Sequence, residues 1–254
     1  MSEPSSAAAL NVATYNIHKG FSHFNRRMTV HELRDRLRSL GSDVVFLQEV
    51  VGKNARHAKQ HLNWPSEPQH EFLADRVWTD FAYGRNAIYD EGHHGNAILS
   101  RYPIVRFDNE DISTNPMERR GLLHAEMEVP GWTERLHCVC VHLGLFASGR
   151  RKQVQAVCDR ISSLVPNGAP LVLAGDFNDW RSEASHVLGM LGVMEVFEIM
   201  HGHPARSFPA RLPILRLDRI YMRGFSVKQA EVHRNSTWIH ASDHAALTAS
   251  LVLL

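Results

Sequence analysis

The chain has 254 residues, of which 44% are apolar and 22% are charged, a composition typical of a globular protein with a substantial core. Its 28 basic and 27 acidic residues leave a formal net charge of +1, which excludes a global basic field for nucleic acid but not a local basic groove. No run approaches the roughly 18 apolar residues of a membrane span, and no signal peptide is recognisable. We therefore expect a cytoplasmic protein without a transmembrane segment.

The first quarter of the chain predicts a strand, a helix and a second strand. Residues 1–8 are small and polar, so we expect a flexible N-terminus followed by one domain over 9–254. LNVATYNI predicts a strand over 10–17, and VVFLQ predicts a buried strand over 44–48. Between them, Thr29 and Glu32 fit a helical capping box, and Gly41 fits a helix stop. This succession indicates a layered α/β domain.

The rest of the chain is richer in strands. Helices are predicted over 68–76, 151–165 and 183–191. Strands are predicted over 95–105, 121–129, 134–144, 171–175, 217–222, 225–233 and 246–254. Two halves that each end in paired strands, with helices between them, fit one domain of two packed sheets with helices on the outer faces.

Polar side chains recur where the predicted apolar strands end. They are Asn16, Glu49, His142, Asp176, Asn178, Asp218, Asp243 and His244. Strand ends and the loops after them are where layered α/β folds present ligand groups. Each residue alone has a structural explanation: Glu49 could end a strand in solvent, and His142 could be a core histidine. Their repetition indicates a functional site.

Seven segments carry a resemblance that covers residues 14–247. In chain order they are TYNIHKG, FLQEV, GNAILSR, VHLG, AGDFND, LRLDRIY and ASDHAAL. Together they resemble the endonuclease/exonuclease/phosphatase superfamily, and its small bacterial members in particular. The resemblance implies a deoxyribonuclease-like four-layer α/β sandwich, in which two stacked mixed β-sheets are flanked by helices. It also implies hydrolysis of a phosphate ester with a divalent metal.

The resemblance assigns the metal to the early motifs. Glu49 is the best candidate ligand, with Asn16 beside it, and Asp243 is a further candidate. Hard oxygen donors of this kind suit Mg²⁺ or Mn²⁺, which commonly take one or two protein carboxylates and retain water. We therefore expect Mg²⁺ or Mn²⁺ as the cofactor.

The later motifs supply the expected catalytic groups. By resemblance, His244 is the catalytic histidine, Asp218 is its orienting partner, and His142 contacts the scissile phosphate. Because residues two apart on an extended strand face the same side, Asp176 and Asn178 are predicted to point into one cleft and divide the work. Asp176 would activate the water and Asn178 would hold a phosphate oxygen; the structural alternative is an Asx-turn after the strand.

Two further residues, Asn96 and Arg120, are candidates for contacts with the substrate phosphate. His18 and His142 stand where abasic-site enzymes of the superfamily carry Asp and Tyr, which argues against abasic-site repair and leaves the role of His18 open. His93 and His94 are expected to form a loop pair. Substrate specificity is expected in loops 52–70, 85–95, 111–120 and 201–213.

The favoured function is a phosphodiesterase that uses in-line attack of an activated water. The alternatives are a nuclease acting on DNA or RNA and, in a different class, a catalytically silent binding or scaffold protein. The expected partner is a phosphoester substrate: a lipid headgroup, a small molecule or nucleic acid. No protein partner is inferable from the sequence.

Overall fold

The computed structural model describes residues 9–254, so the predicted flexible segment 1–8 lies outside the described residues. The strands are β1 (Leu10–Asn16), β2 (Val44–Asn54), β3 (Asp80–Tyr89), β4 (Gly92–Ser100), β5 (Ile104–Asp111), β6 (Gly121–Met127), β7 (Leu136–His142), β8 (Leu171–Asp176), β9 (Met194–Glu195), β10 (Asp218–Arg223), β11 (Phe225–His233) and β12 (Ala246–Leu253). The helices are α1 (Val30–Ser39), α2 (Ala55–Gln60), α3 (Gln69–Ala74), α4 (Ala147–Leu164), α5 (Glu183–Gly189) and α6 (Val196–His201).

The strands form two six-stranded sheets. The first sheet has the order β11-β12-β1-β2-β4-β3, and the second has the order β5-β6-β7-β8-β10-β9. In each sheet one central pair is parallel, β1 with β2 and β7 with β8, while the other neighbours are antiparallel. Both sheets are therefore mixed, as predicted.

Apolar side chains explain the layering. Residues such as Val12, Phe46, Ala125 and Val172 fill the space between the two sheets. The opposite face of the first sheet packs against α1 and α3, and that of the second packs against α4 and α5. This confirms the predicted four-layer sandwich. Within residues 9–254, no helix is both long and apolar enough to cross a membrane.

The predicted strand over 95–105 is two strands that belong to different sheets. β4 ends at Ser100, and β5 begins at Ile104. Between them the Ser100 hydroxyl accepts a hydrogen bond from the Tyr102 N–H (2.9 Å), and Pro103 has no N–H to continue a ladder. The chain turns here from the first sheet into the second, which the apolar run alone did not reveal.

The predicted capping box at the start of α1 is wrong. The Thr29 hydroxyl donates to the Ala241 carbonyl (2.7 Å) and makes no capping hydrogen bond. Glu32 pairs instead with Arg27 and Arg36. A long-range contact has replaced the local one. The predicted stop is confirmed, since the helix ends at Ser39 and Gly41 has a φ of +64°, a conformation that glycine adopts without strain.

Candidate active site

Strand register brings three candidate residues together on the second sheet. His142 pairs with Asp176 across β7 and β8, and Asp218 pairs with Asp176 across β8 and β10. All three are buried. The close approach of β7 and β8 requires glycine at 175, where φ is +150° and a Cβ would lie 1.9 Å from the Val141 carbonyl oxygen. The pairing of the strands therefore sets the relative positions of these three residues.

His244 is held by the second sheet although it comes from the segment before β12. Its Nδ1 donates to Asp218 Oδ2 (2.8 Å), and its Nε2 lies 3.7 Å from Asp176 Oδ2. Burial acts to lower the pKa of His244, but the carboxylates of Asp218 and Asp176 outweigh it and raise that pKa to about 10. The ring is therefore an oriented imidazolium between two carboxylates.

Asp176 is the centre of the cluster. Its Oδ2 accepts from Asn16 Nδ2 (3.1 Å) and lies 3.5 Å from His142 Nε2. Burial, reinforced by Asp218, raises the pKa of Asp176 despite the opposing charge of His244. Burial and the nearby charge of Arg120 hold the pKa of His142 well below its ordinary value, so His142 is neutral.

The segment after β8 differs from the predicted alternation. β8 ends at Asp176, and Asn178 has a left-handed φ of 49°. The Asn178 N–H donates to Asp176 Oδ1 (3.0 Å), which is the Asx-turn alternative, and its Nδ2 donates to the Leu143 carbonyl (2.9 Å). Phe177 packs into the outer core. Asn178 thus ties the ends of β7 and β8 together beside the cluster.

A β-bulge carries Glu49. Leu47 pairs with Ala97 and Val50 with Gly95, so Gln48 and Glu49 together oppose Asn96 alone. Glu49 has a φ of 57°, a left-handed conformation that is unusual for a residue with a side chain. Bulges and strained residues of this kind re-aim side chains at functional sites. β2 then continues to Asn54, well beyond the predicted end of this strand.

Charged groups surround the Glu49 carboxylate. Its Oε2 lies 3.6 Å from Lys19 Nζ and 4.0 Å from His18 Nδ1. His18 Nδ1 lies 3.5 Å from Asp243 Oδ2, so this histidine stands between two carboxylates. Burial opposes ionisation of Glu49, but the positive charge around it, including that of Lys19, lowers its pKa to about 2. Glu49 is therefore an anion at any ordinary pH.

These residues fit a hard divalent cation. Glu49 supplies an ionised oxygen donor, and Asp243 supplies a second carboxylate on the far side of His18. Asn16 links this region to the cluster, because its Oδ1 accepts from the His18 N–H (3.1 Å) while its Nδ2 donates to Asp176. Assignment of Glu49, Asn16 and Asp243 as metal ligands stays a prediction.

A second set of potential ligands lies in the buried cluster itself. The ligand atoms of Asp176, Asp218 and His244 lie within 4.8 Å of one another. However, His244 and Asp218 are already joined by a hydrogen bond, and an imidazolium has no free lone pair for a metal. This cluster therefore suits proton handling better than metal binding.

The two predicted phosphate contacts are both engaged within the protein. Asn96 Nδ2 donates to the carbonyls of Gly121 (2.9 Å) and Cys140 (3.3 Å). Arg120 Nε donates to the Leu143 carbonyl (3.1 Å), and its other arm pairs with Glu118 (3.0 Å). Their predicted role toward substrate stays a prediction.

His94 is a further candidate site residue, which the sequence interpretation missed. His93 and His94 lie in β4 rather than in a loop. Burial and the charge of Lys19 lower the pKa of His94 to about 4. The Glu49 carboxylate opposes this shift, and Arg120 adds to it. Its Nδ1 is buried without a partner in the described part of the chain. Its position two residues before Asn96 on one strand was the available signal.

Three cavities are lined from the four loops expected to set specificity. One of about 580 Å³ lies between segments 52–70 and 83–93. A second of about 750 Å³ is lined from 197–206, Arg216 and 230–234. A third of about 440 Å³ lies between segments 114–117 and 146–152. Volumes of this size can accommodate a small ligand.

Known sequences resemble this chain over nearly its whole length. Residues 13–244 match the model of the Endonuclease/Exonuclease/phosphatase family. "Uncharacterized protein YbhP" of Escherichia coli strain K12 is 48% identical over 246 residues, which cover 96% of this chain and 97% of the relative. The protein of the same name from Shigella flexneri matches equally well.

Solved structures share the fold at lower identity. The endonuclease/exonuclease/phosphatase from Beutenbergia cavernae superposes with a TM-score of 0.75 at 20% identity, over 97% of this chain and 72% of that one. D. rerio TDP2, solved in complex with a single-strand DNA product, superposes with a TM-score of 0.70 at 21% identity, over 96% of this chain and 98% of that one. At these identities the likeness establishes the fold alone.

Proposed function

We propose that this chain, which belongs to the endonuclease/exonuclease/phosphatase family, is a divalent-metal-dependent phosphodiesterase. The observation that carries the proposal is the buried succession of Asp218, His244 and Asp176, with Nδ1 to Oδ2 at 2.8 Å and Nε2 to Oδ2 at 3.7 Å. A fixed carboxylate–imidazole pair aimed at a second carboxylate is an arrangement suited to activating water and balancing charge on a phosphate.

Asp176 is the group that receives the proton of the attacking water in this proposal. Its raised pKa, caused by burial and Asp218, makes it a better base than an exposed aspartate would be. The hydrogen bonds from Asn16 and from the Asn178 N–H fix its two oxygens. The water oxygen bonds to phosphorus in line with the ester oxygen that leaves.

The two imidazoles divide the handling of the phosphate. His244, positively charged and oriented by Asp218, stabilises the negative charge on the equatorial oxygens. His142, neutral because of burial and Arg120, donates a hydrogen bond without adding a second buried charge. Asn178, whose Nδ2 also donates to the Leu143 carbonyl, is a further uncharged donor in this proposal.

Glu49, with Asn16 and Asp243, would hold Mg²⁺ or Mn²⁺. When bound, such an ion neutralises charge on the phosphate oxygens and helps the leaving oxygen depart. The lowered pKa of Glu49 supports this assignment, because the ligand must be ionised.

A diester fits the buried end of the site better than a monoester does. Two carboxylates, Asp176 and Asp218, face one imidazolium there. A monoester dianion would meet more repulsion from these carboxylates than a singly charged diester would. The substrate class that follows is a phosphodiester in a nucleic acid, a lipid headgroup or a small molecule. We place the enzyme in the cytoplasm, which its buried free cysteines Cys138, Cys140 and Cys158 support.

Hydrolysis of bis-p-nitrophenyl phosphate with Mg²⁺ or Mn²⁺ tests the proposal. We expect turnover by the purified protein, its loss with a chelator, and a fall of about 10³-fold in kcat for His244→Ala. His186→Ala is the matched control, since His186 is exposed on α5 and should leave kcat unchanged. Full activity in His244→Ala would refute the mechanism.

A substrate panel separates the alternatives. Plasmid DNA, RNA, phospholipid vesicles, sphingomyelin and soluble phosphodiesters should be compared under the same conditions. Preferential cleavage of DNA or RNA would make the enzyme a nuclease. The silent scaffold would be favoured by a wild-type protein that hydrolyses no phosphoester in the panel.

A further inference from the structure

A cavity of about 750 Å³ has several cationic side chains in its wall. Three arginines, Arg206, Arg216 and Arg234, contribute to its wall. Glu231 is the acidic residue among the lining groups, and its Oε1 already accepts from Gln229 Nε2 (2.6 Å). The wall therefore carries a clear excess of positive charge.

The lining also includes two imidazoles and several apolar side chains. His201 Nε2 donates to the Ala230 carbonyl (3.0 Å), and His203 Nδ1 donates to the Pro204 carbonyl (3.2 Å). Phe197 also lines the cavity, with its ring centroid 5.8 Å from that of His201. These contacts fix both rings, so the wall has defined shape as well as charge.

The three guanidinium groups differ from other arginines of the protein in their contacts. Among the described residues, Arg206, Arg216 and Arg234 make neither a salt bridge nor a side-chain hydrogen bond, and Arg216 Nε is buried without a partner. Arg120 and Arg160, by contrast, each pair with carboxylates. Like charges in the wall of one cavity repel each other when no counter-charge is present, and an anionic ligand would relieve that cost.

Two of the arginines in this wall are close in sequence to residues of the catalytic cluster or to residues hydrogen-bonded to it. Arg216 lies two residues before Asp218, so at most about 7 Å separates their Cα atoms. Arg206 precedes Ser207, whose hydroxyl accepts from the Asp218 N–H (3.2 Å) and whose carbonyl accepts from the Ala245 N–H (2.8 Å). A ligand in the cavity would therefore contact the two segments that lead into the catalytic cluster.

We propose that this cavity binds a second phosphate group of the substrate, which is a compact molecule carrying at least two phosphates. Guanidinium groups bind phosphate oxygens through paired hydrogen bonds. A cavity of about 750 Å³ and a net charge of +1 favour a compact polyanion over a long duplex, which needs an extended basic surface. The inference rests on the proposed function, because the first phosphate is the one hydrolysed.

A matched pair of chromogenic substrates tests the inference. Thymidine 5′-(p-nitrophenyl phosphate) and the same compound with a 3′-phosphate share the leaving group and the scissile diester. We expect the 3′-phosphate to lower KM at least about tenfold, as one charge-assisted phosphate contact can. Equal KM values for the two would overturn the inference and leave the proposed function intact.

The variant Arg206→Gln/Arg234→Gln changes two exposed positions and should fold. We expect it to abolish the preference for the 3′-phosphate while bis-p-nitrophenyl phosphate is hydrolysed as by the wild type. Arg216→Gln should give the same result. The control is Arg106→Gln, exposed on β5 at the opposite edge of the second sheet. Loss of preference in the control as well would attribute it to net charge and overturn the site.

Calorimetric titration with inorganic tripolyphosphate provides a readout that does not need catalysis. We expect at least tenfold weaker binding to the double variant than to the wild type or to Arg106→Gln. If neither chromogenic substrate is hydrolysed but this difference is seen, the proposed function fails and the phosphate site stands. Equal binding by all proteins would refute the site. Affinity that rises steeply with duplex DNA length would refute the compact ligand.

Discussion

The candidate site has one half on each sheet, and the two halves are built differently. On the second sheet, Asp176 and Asp218 stand in register on adjacent strands, and hydrogen bonds of 2.8 to 3.1 Å join them to His244 and Asn16. On the first sheet, the charges around Glu49 lie 3.6 to 4.0 Å away and come from a short turn after β1.

This difference indicates which half is suited to proton transfer and which to metal binding. Proton transfer needs groups held within hydrogen-bonding distance, as the second sheet holds them. A metal ion can draw separated ligands together and keep its own waters, so looser placement around Glu49 is adequate for it. The exposure of the side chains agrees, since Glu49 is 19% exposed and Asp176 is 2% exposed.

The largest effect should come from breaking the tighter half. Asp218→Asn removes the negative charge that orients and protonates His244 while keeping the size of the side chain. We expect kcat for bis-p-nitrophenyl phosphate to fall on the order of 10³-fold, with little change in melting temperature. Activity within a few-fold of the wild type would mean that the pair is structural.

A smaller and different effect is expected from the looser half. Glu49→Gln keeps the bulge and the hydrogen-bonding capacity but removes the charged ligand. We expect the Mg²⁺ concentration for half-maximal activity to rise about 100-fold, with partial recovery of kcat at saturating metal. An unchanged dependence of activity on Mg²⁺ concentration would contradict Glu49 as a ligand and favour the Asp176–Asp218–His244 cluster as the metal site.

The smallest effect concerns stability and lies away from the site. His124 Nε2 and His137 Nδ1 form a buried hydrogen bond of 3.0 Å on the second sheet. Burial and the neighbouring His137 lower the pKa of His124 to about 4. Because the unfolded chain takes up this proton near pH 6.5 and the folded chain only near pH 4, stability should fall as pH falls through that window.

Chemical denaturation at two pH values measures this effect. We expect the wild type to lose about 2 kcal/mol between pH 7 and pH 5 through this group. His124→Gln cannot titrate there, so its loss over the same interval should be smaller by that amount. Parallel losses in the two proteins would show that His124 does not contribute.

The sequence predicted the fold and the convergence of the candidate catalytic residues for an identifiable reason. Segments such as VHLG, AGDFND and LRLDRIY each place a polar group where an apolar strand ends. Once β7, β8 and β10 pair in register, those groups must meet. Strand patterning and motif order were therefore sufficient for this half.

The details that the sequence did not predict depend on distant contacts. The left-handed Glu49 exists because β2 pairs with β4 on both sides of a bulge. Asn178 leaves the strand alternation because its side chain is held by the Leu143 carbonyl. Thr29 bonds to Ala241, more than two hundred residues away, rather than to its own helix. These conformations and contacts depend on residues distant in the sequence, so no local sequence pattern predicts them.

The place of bond cleavage tests the central claim most directly, namely that an activated water attacks phosphorus. Hydrolysis of bis-p-nitrophenyl phosphate should be run in ¹⁸O-enriched water, and both products analysed by mass spectrometry. We predict one ¹⁸O atom in p-nitrophenyl phosphate and none in p-nitrophenol. Label in p-nitrophenol, or no turnover at all with Mg²⁺ or Mn²⁺, would contradict the account.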